Sequence, residues 1–159
     1  KARNDKTKQK ASAISSIMLR TKSKEKMKPV VTSGKRKSAI ARAVVKTGNG
    51  RVRVNKILLT AVEPVMVKMK LQEPLTLAGP QASKVDIDVN VRGGGVMNRA
   101  DAARLAIARG LVTALKDKKL EKVFLEYDRH LLIADVRQKE ESKPNRHGKA
   151  RAKRQKSYR

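Results

Sequence analysis

The residues Val85 to Val91, V-D-I-D-V-N-V, alternate strictly between apolar and polar side chains. Such alternation predicts a β-strand with one buried and one exposed face. Arg92-Gly93-Gly94-Gly95 comes next, and Asn98 is the predicted N-cap of an Ala-rich helix that runs to about Lys116. One stripe of this helix is apolar and predicts its core face: Ala103, Ile107, Leu111 and Ala114. A strand, a tight turn and a packed helix indicate an α+β domain.

Basic residues border the predicted core face of this helix. Arg109 and Lys116 fall on the opposite side, and Arg99 and Arg104 flank the stripe. The helix can therefore pack on a sheet and still offer cations at its margins.

Two carboxylates, Asp86 and Asp88, share the polar face of the predicted strand. This spacing is compatible with an acid/base or metal pair. A solvated strand face is the favoured interpretation, because neither a histidine nor a further carboxylate cluster accompanies the pair.

The glycine loop Gly93–Gly95 has two interpretations. A loop that leads into a helix N-terminus can cradle a phosphate, since free amides and the helix dipole favour an anion there. A plain tight turn explains the same residues. The spacing matches neither nucleotide-binding glycine motif, so a polynucleotide backbone is a better source of phosphate than ATP.

Two further strands are predicted before this unit, Ser38 to Lys46 and Arg51 to Asn55, and the turn Gly48-Asn49-Gly50 joins them as a hairpin. Alternation places Val52 and Val54 on one face, and Arg51 and Arg53 on the other. The arginines can meet phosphate, although an ordinary solvated face fits equally well.

The remaining elements are shorter. Val62 to Leu71 predicts a helix whose core residues are Val65, Met66 and Met69. Leu120 to Tyr127 predicts a second short helix, Leu131 to Ala134 predicts the last of four strands, and nothing is expected to pack after Asp135. The predicted fold is an α+β domain with helices covering a sheet.

Charge indicates the class of partner. The 159 residues contain 40 Lys and Arg against 14 Asp and Glu, a net charge of +26, which normally only nucleic acid or an anionic membrane offsets. Residues 1–29 carry a net +8, residues 30–136 carry +10 and residues 137–159 carry +8. This distribution predicts one domain between two basic arms. The stretch Lys143 to Arg159 has almost no apolar side chain and is expected to be extended on a polyanion.

Cysteine is absent, which makes an intracellular setting the default, and His130 and His147 are not spaced as a metal pair. The apolar residues around Ile14, Ile17 and Met18 are too few for a signal peptide or membrane span. A basic surface helix in the N-terminal arm remains an alternative. No cofactor, metal or membrane partner is expected.

Several segments together resemble the S-nine family of small-subunit ribosomal proteins. They are V-T-S-G-K-R-K-S-A-I-A-R-A (Val31 to Ala43), G-N-G-R-V-R-V-N, E-P-L-T-L-A-G (Glu73 to Gly79), S-K-V-D-I-D-V-N-V-R-G-G-G, A-A-R-L-A-I-A-R-G-L, Y-D-R (Tyr127 to Arg129) and K-R-Q-K-S-Y-R. The S-Y-R ending is similar to the archaeal and eukaryotic branch. The resemblance covers residues 30–159; the arm 1–29 lies outside it, and the glycine often found after Asn55 is missing.

The resemblance implies a fold like the second domain of ribosomal protein S-five, with a four-stranded sheet and a left-handed β-α-β crossover. It also implies a structural, non-enzymatic protein of the small-subunit head, ribosome-bound in the cytoplasm, with no small-molecule substrate. The implied partners are small-subunit rRNA, P-site tRNA and neighbouring head proteins.

Residue roles follow from the resemblance and from the positions of the cations. The residues expected to contact rRNA are Lys35, Arg36, Lys37, Arg42, Arg51, Arg53, Arg92, Gly93, Gly94, Gly95, Arg99, Arg104, Arg146, Lys149, Arg151, Lys153 and Arg154. Those expected to reach tRNA are Lys156, Ser157, Tyr158 and Arg159.

Two rival classes are weaker. A DNA-binding protein of chromatin type needs a groove-reading helix or a dimer signature, whereas the long helix here is predicted to be spent on packing. An enzyme needs a nucleophile, a base and an orienting group at a useful spacing, and the sequence shows no such set.

Overall fold

The computed structural model describes residues 28–144 and residue 150. Five strands form one sheet: β1 (Val30–Arg36), β2 (Ala39–Thr47), β3 (Val52–Val54), β4 (Ile57–Leu58) and β5 (Val85–Arg92). Three α-helices accompany it: α1 (Val65–Ala78), α2 (Val96–Leu115) and α3 (Lys118–Tyr127). Short 3-10 helices lie at Leu59–Ala61, Gly79–Lys84 and Arg129–Leu131. The α+β class is confirmed.

The strand order is β1-β2-β5-β3-β4. The pairs β1–β2, β2–β5 and β3–β4 are antiparallel, whereas β3 and β5 are parallel. The chain from β3 to β5 passes through α1, so this connection is a β-α-β crossover. The strand predicted at Val85 to Val91 is confirmed as β5, and it is the centre of the sheet.

The prediction of four strands is wrong, because it omits two strands that form and includes one that does not. It omits β1, whose basic end Gly-Lys-Arg hides the period of two, and the two-residue β4. The strand predicted at Leu131 to Ala134 does not form. Instead the Asp128 carboxylate accepts a hydrogen bond from the backbone N–H of His130 (2.8 Å), and the 3-10 helix that follows buries Leu131 completely.

The predicted hairpin between β2 and β3 is also wrong, because β5 lies between them. The turn that links β2 and β3 instead crosses the start of β5. Asp86 holds this crossing by accepting hydrogen bonds from the backbone N–H groups of Asn49 and Arg51, each 2.9 Å long. The hairpin in this part of the chain is β1–β2, whose turn places Lys37 at a φ of 51°.

Helix α2 packs across β1, β2 and β5 on one face of the sheet. The predicted stripe is confirmed, because Ala103, Ile107, Leu111 and Ala114 are all buried. Because the side chains between them are small, the backbone of α2 lies close to the backbone of β1. Thr32 Oγ1 in β1 donates to the Ala106 carbonyl (2.9 Å), and a Cβ on Gly34 would overlap the Ala102 carbonyl oxygen. The N-cap of the helix is Gly95 rather than the predicted Asn98, so the helix begins three residues earlier, at Val96.

Helix α1 packs mainly on α2 and extends through Pro74 to Ala78, beyond the predicted end at Leu71. The predicted core residues of this helix are wrong. Val65, Met66 and Met69 are about three-fifths exposed, whereas Val67, Leu71, Pro74 and Ala78 are buried. The first turn begins with three consecutive apolar residues, Val65, Met66 and Val67, so its sequence does not show which side is the core face. The short helix predicted at Leu120 to Tyr127 is confirmed as α3.

An ion-pair network joins the three helices around Arg104, which is only 14% exposed. Its Nε lies 2.6 Å from Glu73 Oε2 in α1, and its Nη1 lies 3.0 Å from Asp128 Oδ2 after α3. The Tyr127 hydroxyl donates to Glu73 Oε1 (2.9 Å), and this hydrogen bond raises the pKa of Tyr127. Burial acts to raise the pKa of Asp128, but hydrogen bonds from His130 and the charge of Arg104 outweigh it, so the pKa is lowered.

Gly34→Ala is expected to lower the free energy of unfolding by about 1–3 kcal/mol, because the new methyl group forces α2 away from β1. Gly95→Ala is the matched control, since nothing lies within 4 Å of a Cβ there and its φ is −84°. We expect it to change stability by less than about 0.5 kcal/mol. Urea unfolding of the full chain measures both, and equal effects would contradict the close-packing argument.

Arg104→Met is expected to destabilise the domain by roughly 1–3 kcal/mol at neutral pH, because two partly buried carboxylates lose their cation. The lowered pKa of Asp128 means that its contribution is present above the ordinary value of 3.8 and is lost as the pH falls below it. The difference between variant and parent should therefore shrink in acid. Urea titrations above and below pH 3.8 measure the free energy of unfolding of the parent and the variant. A difference between the two that does not change with pH would contradict the role of this network.

Candidate nucleic-acid interface

The face of the sheet opposite α2 carries no helix among the described residues, and we call it the open sheet face. Alternation decides which side chains reach it. The buried residues of β2 and β5 are the odd-numbered ones from Ala39 to Val45 and from Val85 to Val91, so their even-numbered neighbours point to the open side. In β1 the odd-numbered residues do so, because Thr32 and Gly34 face α2.

The register aligns the cations of the open sheet face in rows across the strands. One row consists of Lys35, Ile40 and Arg92, the next of Ser33, Arg42 and Asn90, and the third of Val31, Val44, Asp88 and Arg53. Neighbouring strands lie about 4.8 Å apart, so cations from four strands share one small surface. Lys35, Arg42, Arg53 and Arg92 are all exposed there.

A shallow hollow of about 720 Å³ lies on this face between Val31 and Lys56. Arg42, Arg53 and Arg92 line it together with Asn90. Its apolar part is Val31, which is 67% exposed, and Val44. The surface therefore combines guanidinium donors with a few apolar side chains, an arrangement that suits a phosphate backbone better than a small hydrophobic ligand.

Arg51 immediately precedes β3 at the border of the same face, and its side chain contacts a carboxylate of the protein itself. Its Nη2 is 3.6 Å from Asp86 Oδ2. The backbone hydrogen bonds from Arg51 and Asn49 lower the pKa of Asp86, and they give this carboxylate a structural role in the turn. The alternative of an acid/base pair between Asp86 and Asp88 finds no support in this geometry.

The glycine loop is a tight turn against β2. Gly93 and Gly94 have φ values of 72° and 65°, and a Cβ on Gly94 would lie 2.8 Å from that of Ala39. Arg99 Nε donates to the Gly93 carbonyl (2.9 Å) and closes the loop from the first turn of α2. Gly95 has open space around it and provides no side-chain cap for α2, so the amides of the first turn stay available to an anion.

Two of the expected rRNA contacts are used inside the protein. Arg104 is the centre of the helix network, and Arg36 Nη1 lies 3.1 Å from Asp135 Oδ2. Lys37 is exposed in the β1–β2 turn, apart from the rows. The expected RNA contacts of the tail lie outside the described residues; they are Arg146, Lys149, Arg151, Lys153, Arg154, Lys156, Ser157, Tyr158 and Arg159.

Sequence reasoning missed Asn90 and Lys46, which are exposed on the open sheet face. Their signal was present, because both hold even-numbered positions in strands whose odd-numbered residues are apolar. In residues 28–144 no helix has the length and apolar character needed to cross a membrane.

Known proteins resemble the chain over most of its length. The family model described as ribosomal protein S9/S16 matches residues 34–159. The small ribosomal subunit protein uS9 of Methanothrix thermoacetophila is 52% identical over 133 residues, which are 84% of this chain and 100% of that protein. The protein of the same name from Methanococcus maripaludis is 48% identical over 134 residues, with the same two coverages. The chain belongs to the ribosomal protein S9/S16 family, whose members are ribosomal proteins and not enzymes.

Proposed function

We propose that this protein is a structural constituent of the head of the small ribosomal subunit and that it binds small-subunit rRNA with its open sheet face. The observation that carries the proposal is the alignment of Lys35, Arg42, Arg53 and Arg92 on the open sheet face. All four are among the residues that the sequence predicts to contact rRNA. Their convergence supports a single anionic partner.

The proposed mechanism is neutralisation of phosphate charge. Arginine presents a planar set of donors that fits phosphate oxygens, and sites on a sheet are held more rigidly than sites on loops. Stacking contributes little within the described part of the chain, because Phe124 is fully buried and Tyr127 is hydrogen-bonded to Glu73. Recognition then depends on rRNA shape and on charge.

The protein is proposed to contact a second RNA through its C-terminal tail, residues 137–159. By its resemblance to the family, Lys156, Ser157, Tyr158 and Arg159 reach the P-site tRNA, and the tail cations before them line rRNA. The arm 1–29 is proposed as a further basic extension. The same resemblance supports four further proposals. The protein contacts neighbouring head proteins and is ribosome-bound in the cytoplasm. Its fold is like that of ribosomal protein S-five, and its β3–β5 crossover is left-handed.

A DNA-binding function is less well supported by the geometry. The long helix α2 has ten buried residues and lies on the sheet along its length, so it cannot enter a groove as a recognition helix.

The double variant Arg42→Gln/Arg53→Gln is expected to bind rRNA more weakly, and the slope of log affinity against log salt should fall by about 1 for each arginine. Lys119→Gln/Lys122→Gln removes the same charge from the exposed surface of α3 and serves as the control. Fluorescence anisotropy with a transcript of the small-subunit head rRNA, over a salt series, measures both. Equal losses in the two variants would show that net charge matters rather than this face.

Removal of residues 155–159 is expected to leave folding and subunit assembly unchanged and to weaken retention of P-site tRNA, because the tip is predicted to touch tRNA and no core residue. The measurement is tRNA dissociation from small subunits that carry the truncated protein. A chain of unchanged length, with residues 155–159 replaced by Gly and Ser, separates loss of chemistry from loss of length. Unchanged dissociation would contradict the proposed role of the tip.

A further inference from the structure

The segment that leads out of α3 is attached to the domain at three places, and the first two are Leu131 and Leu132. Leu131 is completely buried in the core. Arg109 of α2 then donates from Nε to the Leu132 carbonyl (2.8 Å) and from Nη1 to the Ser33 carbonyl in β1 (3.0 Å). One guanidinium thereby joins the central helix, the edge strand and the outgoing chain.

A third fastening follows at Asp135, whose side chain is 12% exposed. Asp135 Oδ2 lies 3.1 Å from Arg36 Nη1 at the end of β1 and 2.8 Å from Arg137 Nη2. Asp135 Oδ1 accepts from the backbone N–H of Arg137 (2.9 Å), and Arg36 Nη1 also donates to the Arg137 carbonyl (3.3 Å). We call Arg36, Asp135 and Arg137 the clasp. Residues 136–144 are all exposed, so the contacts of the clasp beyond Asp135 are surface hydrogen bonds and ion pairs and do not bury the chain.

The clasp is ionic because this stretch has no apolar alternative. Val136 is 89% exposed and Ile133 is 48% exposed, so neither anchors the chain. Hydrogen bonds from the side chain and backbone of Arg137, together with the charge of Arg36, hold the pKa of Asp135 far below its usual range. The carboxylate is thus charged whenever the protein is folded near neutral pH.

The position of the clasp relates it to the open sheet face. Arg36 follows Lys35, which begins the row that ends at Arg92. Arg36 itself is an even-numbered residue of β1, so its side chain points to the α2 side, where it lines one hollow with Asp135 and Arg104. The chain consequently leaves the domain at the end of the edge strand β1, on the side of the sheet opposite to the cation rows.

We infer that Asp135 is a positioning residue: by holding Arg36 and Arg137 together it fixes where the C-terminal tail leaves the domain and in which direction. This inference rests on the proposed function of the tail. Two RNA-binding parts joined at a fixed angle bind together more strongly than the same parts on a free joint, because less orientational freedom is lost on binding.

The direct test measures the geometry of the tail root without RNA. The chain has no cysteine, so Lys122→Cys in α3 and Lys139→Cys beyond the clasp accept two nitroxide labels in the full-length protein. We expect one narrow distance distribution in the parent and broad ones in Asp135→Asn and Arg36→Gln. Glu126→Gln, an exposed carboxylate on α3, is the control and should leave the distribution narrow. Narrow distributions in all variants would overturn the inference.

A second readout separates positioning from simple stabilisation. Loss of charge-assisted hydrogen bonds should speed hydrogen exchange at the Arg137 amide by about tenfold, while the exchange of core amides in β5 stays unchanged. In the double variant Arg36→Gln/Asp135→Asn, exchange at the Arg137 amide should be no faster than in either single variant, because both changes break the same ion pair. A fall in core protection without broadening of the tail distances would mean that Asp135 only stabilises the fold.

The functional arm uses small subunits that carry Asp135→Asn. Dissociation of P-site tRNA should accelerate by about threefold, less than after removal of residues 155–159. If truncation accelerates dissociation and Asp135→Asn does not, positioning is refuted. If truncation itself has no effect, the proposed role of the tip fails, and the distance measurement alone decides the role of the clasp.

Discussion

The close approach of α2 to the sheet is the constraint on which the rest of the structure depends. Gly34 and Gly110, with alanines on both elements, let the helix backbone lie almost directly on β1 and β2. A helix so deeply seated covers β1, β2 and β5 on one face, and α1 packs on α2 rather than on the far side. No helix of the described residues covers the opposite face, so the same packing that builds the core also creates the surface proposed to meet RNA.

The cations of the domain divide into two groups according to their partners. Arg36, Arg104 and Arg109 are partly buried, and they neutralise carboxylates or bind carbonyl groups that join separate elements. The arginines of the open sheet face are exposed and gathered on one side. Three of the few acidic residues, Glu73, Asp128 and Asp135, form ion pairs with Arg104 or Arg36, the arginines that join separate elements. The net positive charge is thereby concentrated on the surface.

The sequence predicted what depends on local periodicity and missed what depends on distant pairing. The alternation of Val85 to Val91 and the stripe from Ala103 to Ala114 led to the correct strand, helix and core face. No local pattern shows that β3 pairs in parallel with β5, more than thirty residues later, so a hairpin was predicted instead. The exposed methionines of α1 were assigned to the core because hydrophobicity alone does not say which side is covered. Arg36 and Arg104 were expected to bind RNA, since a cation looks the same in sequence whether its partner is internal or external.

The central position of β5 also has a consequence for synthesis on a translating ribosome. A chain emerges N-terminus first, so β1, β2 and β3 leave the exit tunnel before β5, the strand that lies between β2 and β3, has emerged. Until then β2 and β3 each present an unpaired edge, and α2, which comes later still, has not covered their apolar faces. The nascent protein is therefore at its most vulnerable to wrong pairing during this interval, when its basic residues are free to bind any nearby RNA.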